Sequence, residues 1–336
     1  MDVKRFDAVD GLRGGLAVSV LLSHLVGSII GWSENRPFVG AYISVVYFFI
    51  MSGFVLSYAH AKGNFIKYCL TRLARLWPLM FISTVLMVIL YKYNQYHGGY
   101  VSSLDVFSPM VFLKNILFLH GVYWYDFKLI NEPSWSISLE FWISLLIPLL
   151  FTRLNFIIKV IAATSVFIAL LYFYRSGVPP NLLTAFVSML IGSICYDLTK
   201  KIWFIELLKD KFFSIFVLFA LAVCCIGVYG QTHNILDYFY IVAFIPLMFV
   251  DFLDPETIIY KILTYRFFIF LGYISFPLYL LHESVIISGF LYRRDSVFLA
   301  IVTGLTVSIF VAYIYARYVD FYLYKYLKGQ IKKLPF

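Results

Sequence analysis

The 336-residue sequence predicts an all-α polytopic integral membrane protein of about ten transmembrane helices, with both termini cytoplasmic. Three observations carry this reading. Charged residues make up 13% and hydrophobic residues 62% of the chain, whereas soluble domains carry about 25% charged residues. Ten apolar runs, roughly 12–31, 39–58, 76–93, 136–152, 155–174, 182–196, 212–230, 237–253, 267–289 and 296–316, approach or exceed the length a bilayer span requires. The sixth and eighth runs are the shortest of these. With the N-terminus inside and segment 106–122 treated as re-entrant or surface-lying, 20 of the 27 Lys and Arg fall on the cytoplasmic side. An eleventh span at 106–122 would leave 11 inside and 16 outside, against the bias of basic residues toward the cytoplasm.

The same composition excludes other classes. The net charge of +9 is not a nucleic-acid footprint, because the basic residues lie between apolar runs where membrane orientation accounts for them. The 27 Tyr and 35 Phe suit interfacial belts and lipid-facing surfaces. Cys69, Cys195, Cys224 and Cys225 show no metal-ligand spacing and read as inert structural thiols. The first run is expected to be a retained helix, since it is too long for a signal peptide and lacks a small-residue cleavage site. One membrane domain, residues 1–336, is expected, without an appended soluble domain. The basic tail from Arg317 is expected to lie on the anionic inner leaflet.

Taken in order, the first run opens with Asp10 and Arg13 and carries a lone imidazole, His24, deep in apolar sequence. Eleven residues of α-helix are about three turns, so Arg13 and His24 share a face roughly 16 Å apart, and His24 lies about 21 Å along from Asp10. An ionisable group inside a span reads as functional by default; the alternative is a neutral histidine that bonds only to a neighbouring helix. In the second run, Ser52-Gly53 lets two backbones approach closely and is expected to seat this helix against the first. Arg72 and Arg75, in the loop leading into the third run, share one face and offer two planar forks. They are either ordinary cytoplasmic anchors or, with Arg13 and Lys67, a site for a polyanion. Ser134 and Ser136 are candidate caps for the fourth helix, whereas Glu140 falls about a turn inside the span and demands a His or Arg partner. The ninth run contains Pro277, which frees backbone groups, followed by a second ionisable site at His282-Glu283. His60, His97, His120 and His233 fall at boundaries or in loops, and no spacing recommends a metal.

These residues make the sequence resemble the membrane acyltransferase-3 family of bacterial carbohydrate acyltransferases. The resemblance runs through Val9-Asp10-Gly11-Leu12-Arg13-Gly14, the Arg13 and His24 pair, Phe48-Phe49-x-x-Ser52-Gly53-Phe54, Arg72-x-x-Arg75, Pro133-Ser134-Trp135-Ser136-x-Ser138-x-Glu140 and Ser275-x-x-Leu278-Tyr279-Leu280-x-His282. Phe141-Trp142 and Pro277 depart from the commoner family pattern, which bears on the substrate rather than the reaction class. The resemblance implies transfer of an acyl group, usually acetyl, from cytoplasmic acyl-CoA to a sugar hydroxyl of a lipid-linked or surface polysaccharide. The implied setting is the bacterial inner membrane, with membrane lipids and the glycan as partners and no metal. On that basis Arg13, Arg72 and Arg75 are expected to bind CoA. His24 is the expected general base, with Arg13 and Glu140 beside it as catalytic residues. Asp10, Trp135, Ser136 and His282 are expected to contact substrate. The competing class is a transporter or flippase for a glycan or small acid, which would also place ionisable residues in spans.

Overall fold

A computed structural model describes residues 6–59, 64–122, 129–175, 181–230, 236–289 and 296–335; His60 and His233 lie outside these. The described residues are helical, without a strand. The helices are α1 (Asp7–Ile30), α2 (Tyr42–Ala59), α3 (Phe65–His97), α4 (Pro109–Ile116), α5 (Ser134–Ser144), α6 (Phe156–Arg175), α7 (Asn181–Leu198), α8 (Ile202–Leu208), α9 (Lys211–Gly230), α10 (Asp237–Phe244), α11 (Ile258–Leu263), α12 (Arg266–Ile287), α13 (Val297–Tyr315) and α14 (Phe321–Lys332).

All ten apolar runs fall on helix, and among the described residues eight helices are long and apolar enough to cross a membrane. The other two runs are the fifth and the eighth. In the fifth, α6 runs from Phe156 to Arg175 and carries the apolar stretch Phe156–Tyr172. In the eighth, Pro246 supplies no N–H and α10 gives way to a 3₁₀ stretch, Ile245–Phe252. Segment 106–122 forms part of a 3₁₀ turn and the eight-residue α4, too short to cross.

Two boundaries move relative to the sequence reading. Arg72 and Arg75 are not in a loop, because α3 begins at Phe65, capped by the Asn64 side chain, which accepts from the N–H groups of Ile66 and Lys67 at 2.8 and 3.1 Å. The C-terminal segment continues the last apolar run, α13 passing through a π-turn at Ala316–Asp320 into α14. Asp320, at that turn, meets Arg75 of α3.

The chain divides into two units. The first comprises the described residues of Met1–Ser19, Pro37–Gly63 and Ile143–Tyr273. A close backbone contact joins α2 and α7. A Cβ on Gly53 would strike the Met189 backbone, and one on Gly192 would strike the backbone of Ile50, Gly53 and Phe54. Gly53 therefore seats α2 against α7 rather than against α1, which corrects the expected partner while keeping the close-packing role. The glycines of the Asp-Gly-Leu-Arg-Gly stretch act likewise: Gly11 faces the Leu263 carbonyl, Gly14 faces the backbone of Leu271 and Gly272, and Gly272 faces the carbonyl of Asp10. The start of α1 is capped from afar, since the Asp251 carboxylate accepts from the N–H groups of Ala8 and Val9 at 3.0 and 2.9 Å. These are orphan helix-terminal donors, and a carboxylate there also complements the helix dipole.

The second unit comprises the described residues of Val20–Arg36, Asn64–Trp142 and Ile274–Phe336. The segment before α5 is fixed by polar contacts, not only by apolar burial. Phe118 is left-handed at φ 58°, and its carbonyl accepts from Ser138 Oγ and from the Trp142 indole at 2.5 and 2.8 Å. Gly121 has no alternative at its position, since a Cβ would meet the Trp135 carbonyl. His120, fully buried, reaches the backbone carbonyl of Ser134 with Nε2 at 3.1 Å. Burial holds its pKa below the ordinary value, so it anchors the turn as a neutral ring.

Candidate active site around His24

His24 lies on the second half of α1, where the apolar residues around it enforce helix. Gly31 ends this helix with φ +101°, a conformation that favours glycine, and reverses the chain. Trp32 thereby folds back onto Gly27, whose missing Cβ leaves room for the indole, and its ring meets His24 edge-on at 5.8 Å. Arg36 holds the turn down: its guanidinium stacks 4.6 Å above Trp32 and donates to the carbonyl and the hydroxyl of Ser23, each at 3.0 Å. Desolvation lowers the Arg36 pKa from its ordinary value, although a guanidinium stays charged at any physiological pH.

Opposite His24 stands α12. Its register is set from two sides by asparagines. Asn131, on the turn into α5, donates to the Leu280 carbonyl at 2.8 Å, and Asn94 of α3 donates to the Ile287 carbonyl at 3.0 Å. Between them, His282 and Glu283 project toward α1. His282 Nδ1–H donates to the Leu278 carbonyl at 2.9 Å, and its Nε2 lies 2.9 Å from His24 Nδ1. Glu283 Oε2 lies 3.3 Å from the same His24 Nδ1. His282 is 1% exposed, whereas the His24 side chain keeps 18% of its surface accessible. The imidazole is therefore turned into protein and remains reachable. Glu132, on the turn before α5, also feels this cluster. Desolvation and then the Glu283 carboxylate raise its pKa above the usual carboxylate range, and His24 pulls it back.

The two ionisable sites that the sequence presents separately, His24 and His282-Glu283, are thus one site. Glu283 is the carboxylate set against His24, and the sequence reading did not assign it. Glu140 finds the partner its depth requires in Arg72, at 2.7 Å. Arg75 is held by Asp320 at 2.5 Å, with its guanidinium 5.3 Å from the ring of Phe276 and 5.5 Å from that of Tyr324. Ser136 donates to the Pro133 carbonyl at 3.1 Å and meets the Tyr279 hydroxyl at 2.8 Å, and the Tyr279 ring lies 6.3 Å from that of His282. Trp135, half-buried, follows Ser134 in the first turn of α5. Asp10 and Arg13 pair at 3.0 Å on the first turns of α1, within the other unit.

His24, His282 and Glu283 present three possible metal-ligating atoms within 4.8 Å of one another, a set that sequence spacing does not reveal. Two histidines and a glutamate match catalytic zinc chemistry. The contact between ring nitrogens at 2.9 Å has hydrogen-bond length, however. A hydrogen bond requires a proton on one of them, and a metal requires both free.

The sequence profile of the acyltransferase-3 family, described as an acyltransferase domain, matches residues 6–317. The chain belongs to this family. A relative within the curated proteins is named "Putative acetyltransferase ORF330", from Acidianus two-tailed virus. It is 26% identical over 291 residues, covering 81% of this chain and 80% of the relative. No solved structure matches. Membership makes this acyltransferase-3 protein a membrane-embedded acyltransferase and directs attention to the cluster that holds an accessible imidazole.

Proposed function

We propose that this protein transfers an acyl group, acetyl in the simplest case, from acyl-CoA to a sugar hydroxyl of a lipid-linked or surface glycan, with His24 as general base. The observation that carries the reading is the accessible His24 imidazole backed by His282 and Glu283. A sugar hydroxyl is a weak nucleophile until its proton is removed, and a positioned base contributes about 10²–10⁴-fold. In the proposed step the hydroxyl oxygen forms a bond to the thioester carbonyl carbon while His24 takes the hydroxyl proton. The carbon–sulfur bond then breaks, and the proton passes to the departing CoA thiolate.

Arg13, Arg72 and Arg75 are the proposed contacts for the CoA phosphates on the cytoplasmic side. A guanidinium carries five N–H donors, so a carboxylate partner does not exhaust it. Asp10, Trp135 and Ser136 remain proposed acceptor contacts, and both termini are placed in the cytoplasm of a bacterial cell. The reading is tested by incubating purified protein with labelled acetyl-CoA and a glycan-lipid extract. Label on the glycan, lost in His24→Ala at unchanged protein level, is the expected result. Full transfer by His24→Ala overturns the assignment.

A further inference from the structure

The contacts around His24 point to one arrangement of protons, and from it we infer that Glu283 and His282 are positioning residues that fix His24 in the tautomer whose Nε2 lone pair faces the acceptor. The inference rests on the proposed function for its purpose but not for its geometry. Two groups around His24 have only one possible role. The Leu278 carbonyl can only accept, so His282 Nδ1 carries a proton. A neutral imidazole with Nδ1–H has its lone pair on Nε2, which faces His24 Nδ1 at 2.9 Å. An ionised Glu283 can only accept, and its Oε2 faces that same nitrogen at 3.3 Å. His24 Nδ1 therefore has two acceptors before it and must be the donor, with one N–H shared between His282 Nε2 and the Glu283 carboxylate. The lone pair of His24 is then on Nε2, the nitrogen that points away from both partners.

The two partners have different tasks. His282, held by Leu278 on a helix that Asn131 clamps at Leu280, defines ring orientation and tautomer without adding charge. Glu283 supplies a negative charge beside the ring, which stabilises the imidazolium formed when Nε2 accepts the hydroxyl proton. The other charged groups facing this space are few among the described residues. Glu132 interacts electrostatically with both His24 and Glu283, and Arg36 is turned onto Ser23 and Trp32.

The test reads protons directly and needs no acyl transfer. Protein labelled with ¹⁵N-histidine and reconstituted in bilayers gives distinct nitrogen resonances for the two tautomers, and His24→Asn identifies the His24 signals among the six histidines. The expected result is His24 with Nδ1 protonated and Nε2 bare. A protonated Nε2 with a bare Nδ1 overturns the inference, as does a stoichiometric divalent metal on the purified protein with neither facing nitrogen protonated.

Activity supplies the second arm. Glu283→Gln keeps an acceptor oxygen but removes the charge, so kcat should fall about tenfold to a hundredfold, as expected for one charge-assisted hydrogen bond. The KM for acyl-CoA and the His24 tautomer should be unchanged. Glu283→Asp should recover part of the rate, which a purely structural role would not predict; wild-type kcat in Glu283→Gln overturns the charge role. If the wild-type protein shows the expected tautomer yet transfers no acyl group to any glycan, the proposed function fails and the geometry stands.

Discussion

Each unit buries an ionisable side chain between two helices, and the two clusters are built in opposite ways. In the first unit Lys159 of α6 is 1% exposed; it donates to Asp197 at 2.5 Å and to Ser193 at 3.0 Å on α7, and Lys200 occupies the other Asp197 oxygen at 2.8 Å. That network is closed. Both oxygens of its carboxylate are taken by ammonium groups, and Lys200 also lies over the Tyr196 ring at 3.8 Å. In the second unit both partners of His24 meet the same nitrogen, Nδ1, and the side chain keeps 18% of its surface accessible. The lesson is that burial of a charged group in a membrane protein does not mark a site by itself; an unmatched, reachable lone pair does.

The comparison breaks most sharply at its functional end. His24→Ala should lower glycan acylation by about 10²–10⁴-fold, the usual range for a positioned base. Protein level should be nearly unchanged, and thermal stability in detergent should fall far less than activity, even though the change removes the contact to Glu283. Measuring both on one preparation separates lost chemistry from lost folding, and a matched loss of stability would place His24 with Lys159 as structural.

Lys159 should show the reverse. Lys159→Ala removes the buried partner of the half-buried Asp197, which keeps Lys200 on its other oxygen, so stability should fall by less than the cost of breaking a fully buried pair, about 3–5 kcal/mol. The double change Lys159→Met with Asp197→Leu removes both charges and should return most of that stability. Acyl transfer per folded molecule should remain within about twofold of wild type, the mark of a group away from the chemistry. A catalytic defect in the thermally restored double variant would break the distinction between the clusters.

Much of the fold was legible because its signals are local. Apolar runs and sparse charge place the helices, and Pro246 disrupts the eighth run where it stands in sequence. The candidate site was legible only in parts. His24 and His282 announced themselves as ionisable groups in apolar sequence, but their contact joins positions 258 residues apart, a separation no periodicity encodes. Glu283 was legible with His282 as an ionisable pair, but nothing in the sequence gave it a role toward His24. The Asp251 cap on α1 has the same character, 243 and 242 residues from its donors. Gly53 was read correctly as a close contact, yet a glycine declares that a backbone approaches and says nothing about which one. Arg36 and Trp32 were missed for another reason: a loop that folds back onto its own helix needs the left-handed turn at Gly31, which one glycine in sequence does not distinguish from an ordinary connection.

The smallest effects are expected at the arginines, where the same contrast recurs on one helix. Arg72 and Glu140 are both largely buried, with side chains 11% and 15% exposed, and Arg75 keeps 35% of its surface. Arg72→Gln should therefore act mainly on stability, since it removes the guanidinium that meets Glu140 at 2.7 Å inside the second unit. Arg75→Gln loses a pair that water already screens, worth about 0–1 kcal/mol, and stability should barely move. If Arg75 meets the CoA phosphates, the same change should raise the KM for acyl-CoA about tenfold and leave kcat alone, because it removes binding common to ground and transition states. Titrating acyl-CoA against both variants decides which guanidinium faces the donor. An unchanged KM in Arg75→Gln would reduce this arginine to a clamp on Asp320 and leave donor recognition to Arg13 and Arg72.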